Sequence, residues 1–160
     1  AAGMPDADID GPLEEALLTC DALLAGTDHQ LLATATAMCR QVELLRAAWA
    51  VLDKVAKASP AELRKGPRGG GRDRDKMLGH VLGAEAAYAR KVGVKLPPPE
   101  VGDRKAVKSL REELAQALGG ASDGSPPIPN GWPPRYAIRR IAWHVLDHAW
   151  EMQDRADPGG

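Results

Sequence analysis

Apolar residues recur along this chain at helical rather than strand spacing. The longest run is Leu31, Ala35, Met38, Val42, Leu45, Trp49, Leu52 and Ala56, which alternates steps of four and three without a break. Residues three and four apart share a helix face, so this is a continuous seam of the kind formed where helices pack at a shallow angle. The pattern predicts a long helix that ends near Ala58. Ser59-Pro60-Ala61-Glu62 has capping-box spacing and predicts one further turn. His29, just before the long helix, reads as a solvated or capping histidine.

Four further helices are predicted. A short one opens at Asp10-Gly11-Pro12, carries Leu13, Leu17, Cys20 and Leu24 on one face, and stops at Gly26. Another covers about Asp75 to Lys91, with Asp73 or Asp75 as its cap and an apolar face of Met77, Val81, Ala84, Tyr88 and Val92. Gly93 and Pro97-Pro98-Pro99 end it. The next covers about Asp103 to Leu118, with Val107, Leu110, Leu114 and Leu118 inward. The last covers about Arg135 to Asp154, with Ile138, Ile141, Val145, Ala149 and Met152 as its core face. Phe is absent while Ala and Leu abound, and both of those are strong helix formers. The expectation is an all-α fold, divided into an N-terminal arm and short helix over 1–28 and a four-helix bundle over 29–157.

The 160 residues suffice for one domain with one core. With 21 Lys+Arg against 22 Asp+Glu there is no global basic footprint, which disfavours nucleic acid as a partner. No apolar run approaches the roughly 20 residues that cross a bilayer. Cys20 and Cys39 are too few and too isolated for a disulfide framework and read as two buried thiols. Together these point to a cytoplasmic protein acting on a small molecule.

Two connectors stand out. Arg64-Lys65-Gly66-Pro67-Arg68-Gly69-Gly70-Gly71-Arg72-Asp73-Arg74-Asp75 sets five cationic side chains around three consecutive glycines just before a helix. It is either a solvated loop or, with Arg68 and Arg72 as candidates, a site for a carboxylate or phosphate. It lacks the Gly-Lys-Ser/Thr ending of a P-loop. Residues 121–134 form a long Gly/Pro/Ser/Asp loop with Trp132 near its end, which either crosses the surface or covers a site.

Candidate chemistry sits on the last helix. His144 and His148 are four residues apart, one turn above the other on one rim of the core face. His80 occupies the matching rim of its own helix, with the apolar set roughly 40° to 120° away and Glu85 just past the far edge. Three imidazoles from facing helices suit Zn, Ni, Fe or Cu and leave positions open for water or substrate. Glu85, Asp147 and Glu151 are candidates to orient the imidazoles, and Tyr88 is a further candidate beside the site. Tyr136, Trp143 and Trp150 recur every seven residues on nearly the opposite side of the last helix. That stripe fits either burial under the N-terminal segment or a homodimer interface.

A His80 helix with Glu85 five residues on, followed by His144-x-x-x-His148 in a chain of this size, resembles the DinB-like (DinB/YfiT-like) superfamily of four-helix metalloproteins. The resemblance spans about Leu31 to Asp154. It implies an up-down-down-up bundle and a divalent metal on His80, His144 and His148, zinc or nickel foremost. It also implies thiol-dependent transfer or isomerisation, with a low-molecular-weight thiol such as mycothiol or bacillithiol as co-substrate; hydrolysis by a metal-bound water would be the same site used differently. The short N-terminal helix and the arginine-glycine loop are additional to that pattern. The competing expectation is a non-enzymatic helical module that dimerises or binds a partner through the aromatic stripe.

Overall fold

The computed structural model describes residues 29–120 and 122–156, with side chains from Ala35 onward. The N-terminal arm and the short helix expected over 12–25 lie outside the described residues. Those described form four helices: α1 (His29–Ala58), α2 (Arg74–Arg90), α3 (Arg104–Gly119) and α4 (Pro134–Ala156). Among the described residues there is no strand. His29 is the first residue of α1 rather than a residue before it.

Each boundary has a local cause. Pro134 opens α4, where its missing N–H costs nothing and its fixed φ is already helical. Asp103 caps α3 by accepting from the Ala106 N–H at 2.9 Å. Asp73 stands at the N-cap of α2 but does not cap it. Its carboxylate accepts from the Leu63 N–H at 3.2 Å and from Lys65, tying the basic loop back on itself. The turn expected at Ser59 is absent. Ser59 is buried at the end of α1 and donates its hydroxyl to the Val55 carbonyl at 2.8 Å, so it closes one helix instead of opening another.

Cross-helix pairs fix the helix directions. Arg135, at the start of α4, donates to the Gln41 carboxamide oxygen near the start of α1. At the other ends, the Arg64 N–H just past α1 donates to the Arg155 carbonyl. Hence α1 and α4 are parallel. Arg46 pairs with Glu112, Arg111 with Asp53, and Val42 lies against Gly119, so α3 runs against α1. His80 faces His144 and His148 while Tyr88 meets Trp132, so α2 runs against α4. The order is up-down-down-up.

The core is continuous across all four helices. Leu45, Leu52, Met77, Leu110, Leu114, Leu118, Ile141 and Met152 are fully buried. Truncating any one to Ala would cost about 2–5 kcal/mol. From Met38 to Leu52 the seam of α1 lies in the core as the periodicity predicts, with Ala56 packed against it, and so does the core face of α4. The buried face of α2 is rotated from expectation. It consists of Met77, Val81, Leu82, Glu85, Ala86 and Ala89, leaving Ala84 and Tyr88 half-buried to one side. On α3 Val107 is half-buried, and Arg111 joins the buried set.

Cys39 is half-buried and disulfide-bonded, not the buried thiol expected. The chain's other cysteine, Cys20, lies outside the described residues. The aromatic stripe is exposed, with Tyr136 at 49%, Trp143 at 56% and Trp150 at 60%.

Candidate metal centre

The antiparallel pairing of α2 with α4 sets His80 across from one turn of α4. An imidazole nitrogen from each of His80, His144 and His148 lies within 4.8 Å of the other two. Ring centroids are 5.2 Å apart for His80 and His144, 4.9 Å for His80 and His148, and 4.6 Å for His144 and His148. His144 and His148 are each only 8% exposed, and His80 is half-buried. The site therefore sits at the rim of the core, where imidazoles are desolvated yet reachable.

The donor set fits a divalent metal. The Nε2 atoms of His80 and His144 are 3.3 Å apart. Two nitrogens held tetrahedrally at 2.0–2.1 Å from one zinc would stand about 3.3–3.4 Å apart. His148 Nδ1 lies 3.0 Å from a Glu151 carboxylate oxygen, which accepts its proton and leaves Nε2 as the lone-pair nitrogen. Glu151 is itself held by Arg155 at 3.1 Å. His144 Nδ1 is buried with no hydrogen-bond partner.

Electrostatics favour the neutral, ligating form. Burial, then the like charges of His148 and His80, push His144 down to about 4. Burial also lowers His80, followed by the positive charge of Arg72 and by His148, with Glu151 opposing. An imidazole that resists protonation keeps its lone pair available at neutral pH.

Of the other expected residues, Glu151 and Tyr88 are at the site. Tyr88 meets His144 edge-on at 5.8 Å and Trp132 at 5.2 Å, and Trp132 meets Tyr136 at 5.1 Å. The three rings form a wall beside the imidazoles. Trp132 is placed there because its backbone N–H donates to the Lys91 carbonyl at 2.8 Å, where the adjoining Gly131 backbone passes too close to Lys91 and Ile128 for a side chain. Arg140, which sequence reasoning did not single out, lies over Tyr88 at 5.6 Å and over Trp143 at 5.0 Å.

Glu85 is elsewhere. It is 0% exposed and accepts from the Trp49 indole N–H at 2.5 Å, with Arg111 Nε 3.5 Å from its other oxygen. Desolvation raises its pKa, while Arg111 and the Trp49 bond pull the other way. It orients no imidazole. Asp147 is exposed and acts on His144 only through space. Arg72 is exposed but near enough to disfavour a charge on His80, whereas among the described residues no hydrogen bond or ion pair joins the exposed Arg68 to the imidazoles.

No family model matches the chain, and neither does any curated protein or solved structure. Three histidines close enough to bind one metal ion, on an all-helical scaffold, therefore carry the functional reading by their own geometry.

Proposed function

We propose that this protein is a divalent-metal-binding member of the DinB-like group that acts on a small molecule, as a thiol-dependent transferase or a metal-dependent hydrolase. The observation that carries the reading is the convergence of His80, His144 and His148 from two antiparallel helices. Its support lies in the up-down-down-up order, the 3.3 Å spacing of two Nε2 atoms and the carboxylate behind His148. Zinc or nickel suits three neutral imidazoles. A metal held there would lower the pKa of a thiol or water presented to it.

The chain's own residues have definable parts in such a site. Glu151 holds the proton on His148 Nδ1 and fixes that ring's orientation. Tyr88 and Trp132 shield the imidazoles on one side and offer an apolar surface to a substrate. Arg72 and Arg140 bring positive charge to the rim, which suits a substrate or thiol with an anionic end.

Elemental analysis of the purified protein should find one divalent metal per chain, and His144→Ala should abolish it. Absence of stoichiometric metal after reconstitution with Zn²⁺ or Ni²⁺ would overturn the proposal. For the thiol, the Co²⁺- or Ni²⁺-loaded protein should show a new absorption band when a low-molecular-weight thiol is added. A hydrolase would leave the spectrum unchanged.

The second reading, a helical module that dimerises, is favoured by the exposed Tyr136, Trp143 and Trp150. Sedimentation of the wild-type protein and of Trp143→Ala at the same concentration tests it. Among the described residues no helix is long and apolar enough to cross a membrane. Cytoplasmic residence belongs to the proposal alone, and the disulfide at Cys39 argues against it, since reducing compartments keep thiols reduced.

A further inference from the structure

On the side of α2 away from the histidines, a cleft of about 810 Å³ opens between α1, α2 and α3. Leu78 and Leu82, which line it, lie about 160° from His80 around the helix. The cleft is thus separate from the candidate metal centre. Its size falls within the roughly 300–1,000 Å³ usual for small-molecule sites.

Its walls divide by chemistry. Trp49, Leu52, Leu78, Leu82 and Val107 supply an apolar floor. Six cationic side chains line the cleft against three carboxylates, those of Asp53, Asp75 and Glu112. All three carboxylates are already taken: Asp53 by Arg111, Asp75 by Arg74 and Glu112 by Arg46. Lys57, Arg104 and Lys108 make no ion pair among the described residues. Among the side chains that line the cleft, cations thus outnumber carboxylates by three around an apolar floor, with Glu43 also against Arg46 and Glu85 against Arg111 from outside the lining.

Arg111 is the fixed element. Its side chain is 11% exposed, its guanidinium carbon lies 5.3 Å from the Trp49 ring, and Glu85 stands behind it. Its Nε is buried without a hydrogen bond. Toward solvent it bonds Asp53 through Nη1 at 3.1 Å, and the Asp53 side chain is 63% exposed. An ion pair with so exposed a carboxylate is weak and is readily exchanged for another anion.

We infer that this cleft binds a small amphipathic anion, an apolar body with one carboxylate, sulfonate or phosphate end. The body lies on the half-buried Leu78 and Val107, above the buried Trp49 and Leu82, and the anionic end meets Arg111 and the unpaired cations at the rim. No metal is needed for this binding.

The test uses 1-anilinonaphthalene-8-sulfonate as the probe and fluorescence of the full chain as the readout. One saturable site is expected. Lys57→Ala/Arg104→Ala/Lys108→Ala should weaken it about tenfold while circular dichroism stays native, since these are exposed side chains each worth a fraction of a kcal/mol to an anion. N-phenyl-1-naphthylamine, the same rings without the sulfonate, should bind about tenfold more weakly for the same reason. Unchanged affinity in the triple variant would overturn the inference. So would loss of binding in Trp143→Ala/Trp150→Ala protein, which would place the probe on the aromatic stripe.

Discussion

The bundle buries two polar clusters on opposite sides of α2, and they are built on opposite principles. Glu85 and Arg111 carry opposite charges, and Trp49 and Asp53 supply further bonds. His80, His144 and His148 carry like charges when protonated and, among the described residues, bond one carboxylate, that of Glu151. A buried pair of opposite sign compensates its charge, and leaving either partner alone is costly, although Glu85 Oε2 and Arg111 Nε, 3.5 Å apart, share no hydrogen bond. Three imidazoles turned toward one another repel protons from the site; His144 and His80 share one bond through their Nε2 atoms, and His144 Nδ1 has none. The first arrangement holds a fold together, and the second makes chemical sense when something sits between the rings.

The sharpest way to break this contrast is to remove one member from each cluster in metal-free protein. Glu85→Ala should cost about 3–5 kcal/mol in chemical denaturation, because Arg111 loses its buried counter-charge and keeps only the exposed Asp53, while the Trp49 indole N–H loses its acceptor. His144→Leu should cost less than about 1 kcal/mol, since it deletes the unpartnered buried Nδ1 and adds apolar volume, and the one bond lost is to His80, which is only half-buried. Equal losses in the two variants would show that the imidazoles are as structural as the ion pair.

Next in size is the effect of the carboxylate behind His148. Glu151→Gln should weaken metal binding by about 10–100-fold, measured by competition with a chelator, while the melting temperature of the metal-free protein changes little. A variant that binds metal as tightly as wild type would mean that Glu151 serves only Arg155.

The pH dependence follows. His144 has a folded pKa of about 4 against an ordinary value of 6.5, and His80 is also lowered. Between those values the unfolded chain binds more protons than the folded one, so stability falls as pH falls. The denaturation midpoint of the metal-free protein should decline from pH 6.5 toward 4, and His144→Leu should flatten the decline. Smallest of all, Trp143→Ala should change monomer stability by less than about 0.5 kcal/mol, because the ring is largely in solvent.

This contrast explains which parts of the molecule could be read from the sequence. The histidines were legible because helix geometry is local: four residues make one turn, and a rim position on one helix can be matched to a rim position on another. Glu85 was not. The apolar weight of Ala84, Tyr88 and Val92 drew the predicted core axis of α2 toward the imidazoles, whereas the true face centres on Leu82, Glu85 and Ala86. Nothing in the sequence of α2 announces that Trp49 and Arg111, on two other helices, will compensate a buried carboxylate. Ser59 misled for a related reason. Its spacing to Glu62 fits a cap, but the Val55 carbonyl one turn behind was the nearer partner. Asp103, where the periodicity places the start of α3, does cap that helix.

The parallel pairing of α1 with α4 is the most extensive helix contact in the bundle. Those two helices are separated by the whole of α2 and α3 along the chain. For an all-helical protein this is a long-range topology, and loops must close before the main interface forms. Folding should accordingly be slower than in a bundle whose neighbours in sequence are its main neighbours in space. During synthesis, α1 waits without its principal partner until the final 23-residue helix emerges. That same helix brings two of the three imidazoles, so the candidate metal centre and the closed core are completed in a single late event.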